Sequence, residues 1–181
     1  MKLDEATIES SIAKMEAVLR PGTDLTLLLL KGHLYAEGRL ERIISLRLSR
    51  GDRLIETGHL SFAQKLAVVD ALNEIPDQII TVLKNLNKLR NQCAHELEKE
   101  VGDADVDRLG QPLGARFTEL KQEARVKSKE IADPIKRGVV ERLLNMNGVI
   151  ATVCGFLAGA CLVFEGGDKN AGKLEDQERR E

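Results

Sequence analysis

Three side chains in one short string, Arg90, Asn91 and His95 of Leu89-Arg90-Asn91-Gln92-Cys93-Ala94-His95, are of the types and spacing that phosphodiester chemistry uses. A guanidinium forks onto phosphate oxygens and neutralises charge that builds in a transition state. A histidine near its ordinary pKa can take the proton from a 2′-hydroxyl or return one to a leaving 5′-oxygen. The asparagine amide can orient either group. At about 100° per residue, Leu86, Leu89, Cys93 and Leu97 fall into one arc that must face a core, Asn91 and His95 share a face nearly opposite, and Arg90 lies on the flank. One histidine is awkward as both acid and base, but a two-fold dimer with two copies of this face together would supply a pair.

The elements that must position these groups are helical. Leu, Ala, Glu, Lys and Arg are abundant, Pro numbers four in 181 residues, and aromatics are 3% with no Trp, a composition that favours helices over a sheet. Apolar spacing at Ile8, Ile12, Met15 and Leu19 predicts a first helix ending at Pro21-Gly22. Asp24 is an N-cap for a long second helix to about residue 50, where Gly51-Asp52 breaks it. Ser61 caps a third through Phe62, Leu66, Val69 and Leu72, and Pro76 opens a fourth that carries the string. The stretch 102–114, with Asp103, Asp105, Asp107, Gly110 and Pro112, reads as an acidic loop. Helix resumes near Ala115, breaks at Asp133-Pro134, and continues as an apolar helix to about residue 165. The expected architecture is an all-α antiparallel bundle of about six helices, a dimer, with residues 1–165 as one domain and 166–181 as a disordered polar tail.

With 27 Lys+Arg against 29 Asp+Glu the formal net charge is −2, which excludes a broadly basic nucleic-acid binder and leaves room only for a local phosphate site. Arg39, Arg42, Arg47, Arg50 and Arg53, with Lys84 and Lys88, could form that local ground for RNA, or Glu37, Glu41 and Asp52 could simply pair with some of them. The opening MKLDEATIESS has acids where a signal peptide needs a basic and then apolar stretch, so a cytoplasmic chain is expected. Residues 143–164 carry no charge and include Gly155 and Gly159 at a spacing that suits close helix approach. The strictly apolar part, about 24 Å long as a helix, is short for a bilayer, and a helix buried on all sides is the expected reading over a membrane span. Cys93, Cys154 and Cys161 form no CxxC and have no His partner at ligand spacing, so buried thiols are expected, with neither metal nor cofactor. Across a symmetric dimer Cys154 or Cys161 could still meet its own copy.

The string resembles the HEPN superfamily (higher eukaryotes and prokaryotes nucleotide-binding), whose signature is Arg, a polar residue, a short spacer and His on a bundle helix. Here Arg90, Asn91 and His95 fill those positions. The segment Lys31-Gly32-His33-Leu34-Tyr35-Ala36-Glu37 more weakly resembles mannitol-operon-repressor-like helical proteins. The resemblance covers roughly residues 25–98. It implies a dimer with facing motifs and a composite, metal-independent endoribonuclease site, often in a toxin or defence effector restrained by an antitoxin. Arg90 would hold the phosphate, His95 would be the acid and base, and Asn91 the orienting group. The same superfamily holds members that only bind nucleotides or partners, so a non-catalytic regulatory or interaction module is the alternative. Glu98, three residues past His95, could bond its imidazole or be a solvated carboxylate. His33 and Glu37, four apart, could support the motif helix or form an exposed polar pair. His59, after Gly58, reads as a surface residue.

Overall fold

The computed structural model describes residues 5–18, 24–96 and 98–178. It is helical throughout, with eight α-helices and one short 3-10 turn among the described residues: α1 Glu5–Val18, α2 Leu25–Arg47, α3 Gly51–Gly58, α4 Phe62–Ala71, α5 Asp77–His95, α6 Asp103–Gly110, the 3-10 turn Gln111–Leu113, α7 Ala115–Ser128 and α8 Pro134–Glu178. The all-helical class is as expected, whereas the count exceeds six by α3 and α6. Leu19, Pro21, Gly22 and Leu97 lie outside the described residues.

Local chemistry sets the helix ends. Asp24 Oδ1 accepts from the Thr26 and Leu27 N–H groups at 2.8 and 3.2 Å, satisfying donors that a first turn leaves orphaned. Ser61 and Gln64 form a reciprocal capping box at α4, Pro76 immediately precedes α5, and Asp133 Oδ1 accepts from the Ile135 and Lys136 N–H groups at the start of α8. Gly51 opens α3 instead of only ending α2. A Cβ there would strike the Ile44 carbonyl, so the glycine permits the close reversal. The stretch 102–114 is likewise no loop. Two of its acids, Asp103 and Asp105, occupy the first turn of α6, where negative charge is favoured, and the Gly102 N–H donates to Asp105 Oδ2 at 3.0 Å. Burial pushes Asp105 up, but the Lys99 ammonium at 2.7 Å and that N–H hold its carboxyl below the usual range.

The core is organised around α2 and α8. α2 buries Leu28, Leu29, Gly32, His33, Ala36, Leu40, Ile43 and Ile44; α8 buries Met146, Val149, Ile150, Val153, Cys154, Leu157 and Cys161. Cys154 Sγ donates to the Gly32 carbonyl and Cys161 Sγ to the Arg39 carbonyl, both at 3.8 Å. The equal sequence offset of 122 in both contacts means the two helices run parallel. Both thiols therefore face α2, and neither reaches outward toward another copy. Burial pushes Cys154 up to about 12.

α8 is not buried on all sides. It leaves Phe156 and Val163 exposed at 39% and 53%, and by length and composition alone its 134–166 portion could cross a membrane. Its backbone continues to Glu178, past the point where the sequence places the start of a polar tail. At the other end, Arg142 grips Asp103 with two bonds of 2.7 and 2.8 Å, tying α8 to the start of α6.

α5 runs antiparallel to α2. Arg47, at the end of α2, pairs with Glu74 just ahead of α5, and His33 meets Asn87 midway along both helices. By the same register Asn91 is level with Leu30, and His95 with the start of α2.

Candidate functional site

α5 presents its apolar arc as the spacing requires: Ile79, Ile80, Val82, Leu83, Leu86 and Leu89 are buried, and Cys93 packs partly buried against the same core. The remaining faces carry the candidate groups. Arg90 and Asn91 are half-buried and His95 is exposed. Arg90 Nη1 donates to Asn91 Oδ1 at 3.2 Å, which restrains the guanidinium and leaves its other N–H groups available. His95 is the last residue of α5, and Glu96 closes the helix with its N–H on the Gln92 carbonyl. The imidazole thus stands at the negative end of the helix dipole, open to solvent. Glu98 lies beyond that end, so helical i, i+3 geometry does not carry it to His95, and no hydrogen bond joins the two.

The other histidine of interest is an interior group. His33 is 5% exposed, its ring stacks on Phe62 with centroids 4.1 Å apart, and its Nε2 donates to Asn87 Oδ1 at 3.1 Å. That bond specifies the Nε2–H tautomer. Burial pushes His33 below the usual histidine value. The Arg90 and Lys65 charges act in the same direction, and the Asn87 bond and Glu37 oppose them. His33 therefore packs against the motif helix as a neutral imidazole and is no exposed pair with Glu37. Glu37 instead accepts from Lys65 Nζ at 2.7 Å, and Lys65 also donates to Glu41 at 2.6 Å. Burial pulls Lys65 down, and the two carboxylates more than compensate, so its value is raised.

Sequence reasoning assigns no site role to three members of this interior cluster: Asn87, Lys65 and the Phe62 ring. Glu37 and Glu41, like charges one turn apart, are the signal that a cation has to approach from elsewhere. Asn87 announces itself only by lying one turn before Asn91, beside the core stripe.

The cations expected to attract RNA have mixed fates. Lys84 pairs with Asp70 at 2.9 Å, and Arg42 pairs with Glu165 at 2.9 Å. The Arg39 guanidinium lies over the Tyr35 ring, 4.9 Å from its centroid. Lys88 is exposed and forms no ion pair among the described residues. His59 is an exposed residue that ends α3 in the left-handed region, φ 44°. Among the described residues no three His, Cys, Asp or Glu side chains gather at metal-binding distance.

The structure thus brings Arg90 and Asn91 into contact, joins His33 to Phe62 and to Asn87 one turn before Asn91, and leaves His95 open at the end of the helix. No family model, no curated protein and no solved structure matches the chain, so the reading of this site rests on its own residues.

Proposed function

We propose that the chain is a metal-independent endoribonuclease of HEPN type, a cytoplasmic toxin or defence effector acting as a homodimer and restrained by an antitoxin or other regulatory protein. The observation that carries this reading is the Arg90–Asn91 bond of 3.2 Å with an exposed His95 one turn further along the same helix. Arg90 holds the scissile phosphate and offsets transition-state charge. His95 moves the proton of the attacking 2′-hydroxyl, or the one delivered to the leaving 5′-oxygen. Asn91 fixes the guanidinium between them. Two chains supply two imidazoles, one for each proton transfer. Exposed Lys88 adds phosphate attraction beside the motif.

The test is RNA cleavage in EDTA by wild type, Arg90→Ala and His95→Ala proteins of matched circular dichroism. Loss of cleavage in both variants supports the reading, and undiminished cleavage in both defeats it.

A second reading, a non-catalytic regulatory or interaction module, has its own observation. Glu96, Glu98 and Glu100 are exposed directly after His95, and Lys84 and Arg42 are held by acids. Such a surface suits a basic protein segment better than a polyanion. Expression separates the readings: wild type toxic and His95→Ala harmless favours the nuclease, whereas equal growth favours the module.

A further inference from the structure

The apolar stripe of α8 runs on past the helix it packs against. Met146 and Ile150 face the core at 0% and 2% exposure, and the same stripe continues back through Leu143, Val139 and Ile135 at helical spacings of three and four. The Cys154–Gly32 and Cys161–Arg39 contacts share one sequence offset of 122, which puts Leu25, the first residue of α2, level with residue 147. Ile135 therefore stands about 18 Å of helix beyond the start of α2. There it is 80% exposed, and Val139 is 46% exposed.

This projecting end is held in shape by its own polar bonds. Arg137 donates twice to the Ile131 carbonyl, at 2.9 and 2.6 Å. Asp133 caps the start of α8, and Ser128 Oγ donates to Glu141 Oε1 at 2.8 Å, joining α7 to α8. Two nearby carboxylates are thus turned onto backbone and hydroxyl groups, which leaves Glu130 as the exposed acid of the turn. The cations have no such engagement. Arg125, Lys127, Lys129 and Lys136 are exposed and form no ion pair among the described residues. Residues 124–140 hold five basic side chains against two acidic ones, in a chain whose totals are 27 and 29.

We propose that the α7–α8 turn and the first two turns of α8 form a docking tip for an anionic lipid surface. Ile135 and Val139 enter the boundary between headgroups and acyl chains, and the free cations lie on the lipid phosphates and carboxylates. This goes beyond the ribonuclease reading and does not depend on it. A polyanion such as RNA would match the charge but leave Ile135 and Val139 in water, and the tip has no aromatic ring on which a base could stack. A bilayer of anionic lipid answers both the charge and the aliphatic knobs, and its fluid surface accepts a projecting tip without a shaped complement. The helix docks without crossing, because Met146, Ile150, Cys154 and Cys161 stay packed in the core.

The experiment is cosedimentation of the full chain with vesicles of phosphatidylcholine alone and of equal parts phosphatidylcholine and phosphatidylserine. Wild type is compared with Ile135→Ser/Val139→Ser, Lys127→Glu/Lys129→Glu and, on the outer face of α8, Phe156→Ser/Val163→Ser. The proposal expects wild type to bind the mixed vesicles and not phosphatidylcholine alone, with binding that weakens as salt rises. Each tip variant should lose at least about tenfold in partition with unchanged helicity and melting temperature, and the Phe156/Val163 variant should bind as wild type does. Wild type that stays in the supernatant overturns the proposal, as does equal binding to both vesicle types. A loss confined to the lysine variant overturns the entry of Ile135 and Val139. Tip-dependent binding to RNA or to polyglutamate, with the vesicles left unbound, overturns it in favour of a soluble polyanion.

Discussion

Two histidines on neighbouring helices of this bundle live under opposite conditions. His33 is enclosed, stacked on Phe62, bonded to Asn87 and held neutral by burial; His95 stands in water at the end of α5. An imidazole that must exchange protons with a substrate needs solvent and a free nitrogen, and only His95 has both. An imidazole that must fix two helices at one register needs a dry site and a committed partner, which is what α2 and α5 give His33. On the proposed reading the bundle separates fastening, by His33 between α2 and α5, from proton exchange by His95 at the end of α5.

Substitutions can break or sharpen that contrast. The largest expected effect is in His95→Ala: cleavage falls by about 10²–10⁴-fold, the usual worth of a general acid or base, while the melting temperature stays put. His33→Ala is expected to reverse the pattern and lose about 2–3 kcal/mol of unfolding free energy in urea, because it opens a cavity against Phe62 and strands the Asn87 carbonyl oxygen. Should His33→Ala leave the urea midpoint unchanged, the histidine would be no fastener.

A smaller loss, about 1 kcal/mol, is expected for Lys65→Met, which leaves Glu37 and Glu41 facing one another without their cation; part of the pair is open to water and screened accordingly. Stability should also fall as pH drops below the unfolded histidine value of 6.5. The folded-state value is depressed, so between the two values the unfolded chain binds more protons, and the contribution present above 6.5 is lost as pH falls through the folded value. The slope stays under about 1.4 kcal/mol per pH unit for this one group, and it should vanish in His33→Gln, as read from thermal melts across pH 4.5–7.5. Smallest is Lys88→Ala, expected to lower the salt dependence of RNA affinity by about one phosphate contact without changing stability.

Features governed by neighbours along the chain are legible in the amino-acid sequence. Asp24, Ser61 and Pro76 announce their helices because capping chemistry acts within three residues. The arc Leu86, Leu89 faces the core because one helical period decides it. The same local habits misread Gly51 and the acids of 102–114 as breakers. A glycine admitted by the Ile44 carbonyl and carboxylates placed in a first turn look, one residue at a time, like a bend and a loop. At the site, Arg90, Asn91 and His95 can be picked out by type and spacing, but their company cannot. Lys65 reaches Glu37 across 28 positions and His33 reaches Asn87 across 54, and no periodicity along either helix encodes which residue waits opposite.

The parallel docking of α8 on α2 has a practical consequence. Because Cys154 and Cys161 each give their S–H to an α2 carbonyl, and burial raises the pKa of both, thiolate formation at either is disfavoured while the two helices touch. Alkylation at these sulfurs therefore clocks the parting of α2 from α8, marking each molecule permanently at its first reactive opening, while half-buried Cys93 on α5 provides an internal reference for reagent access in the closed bundle.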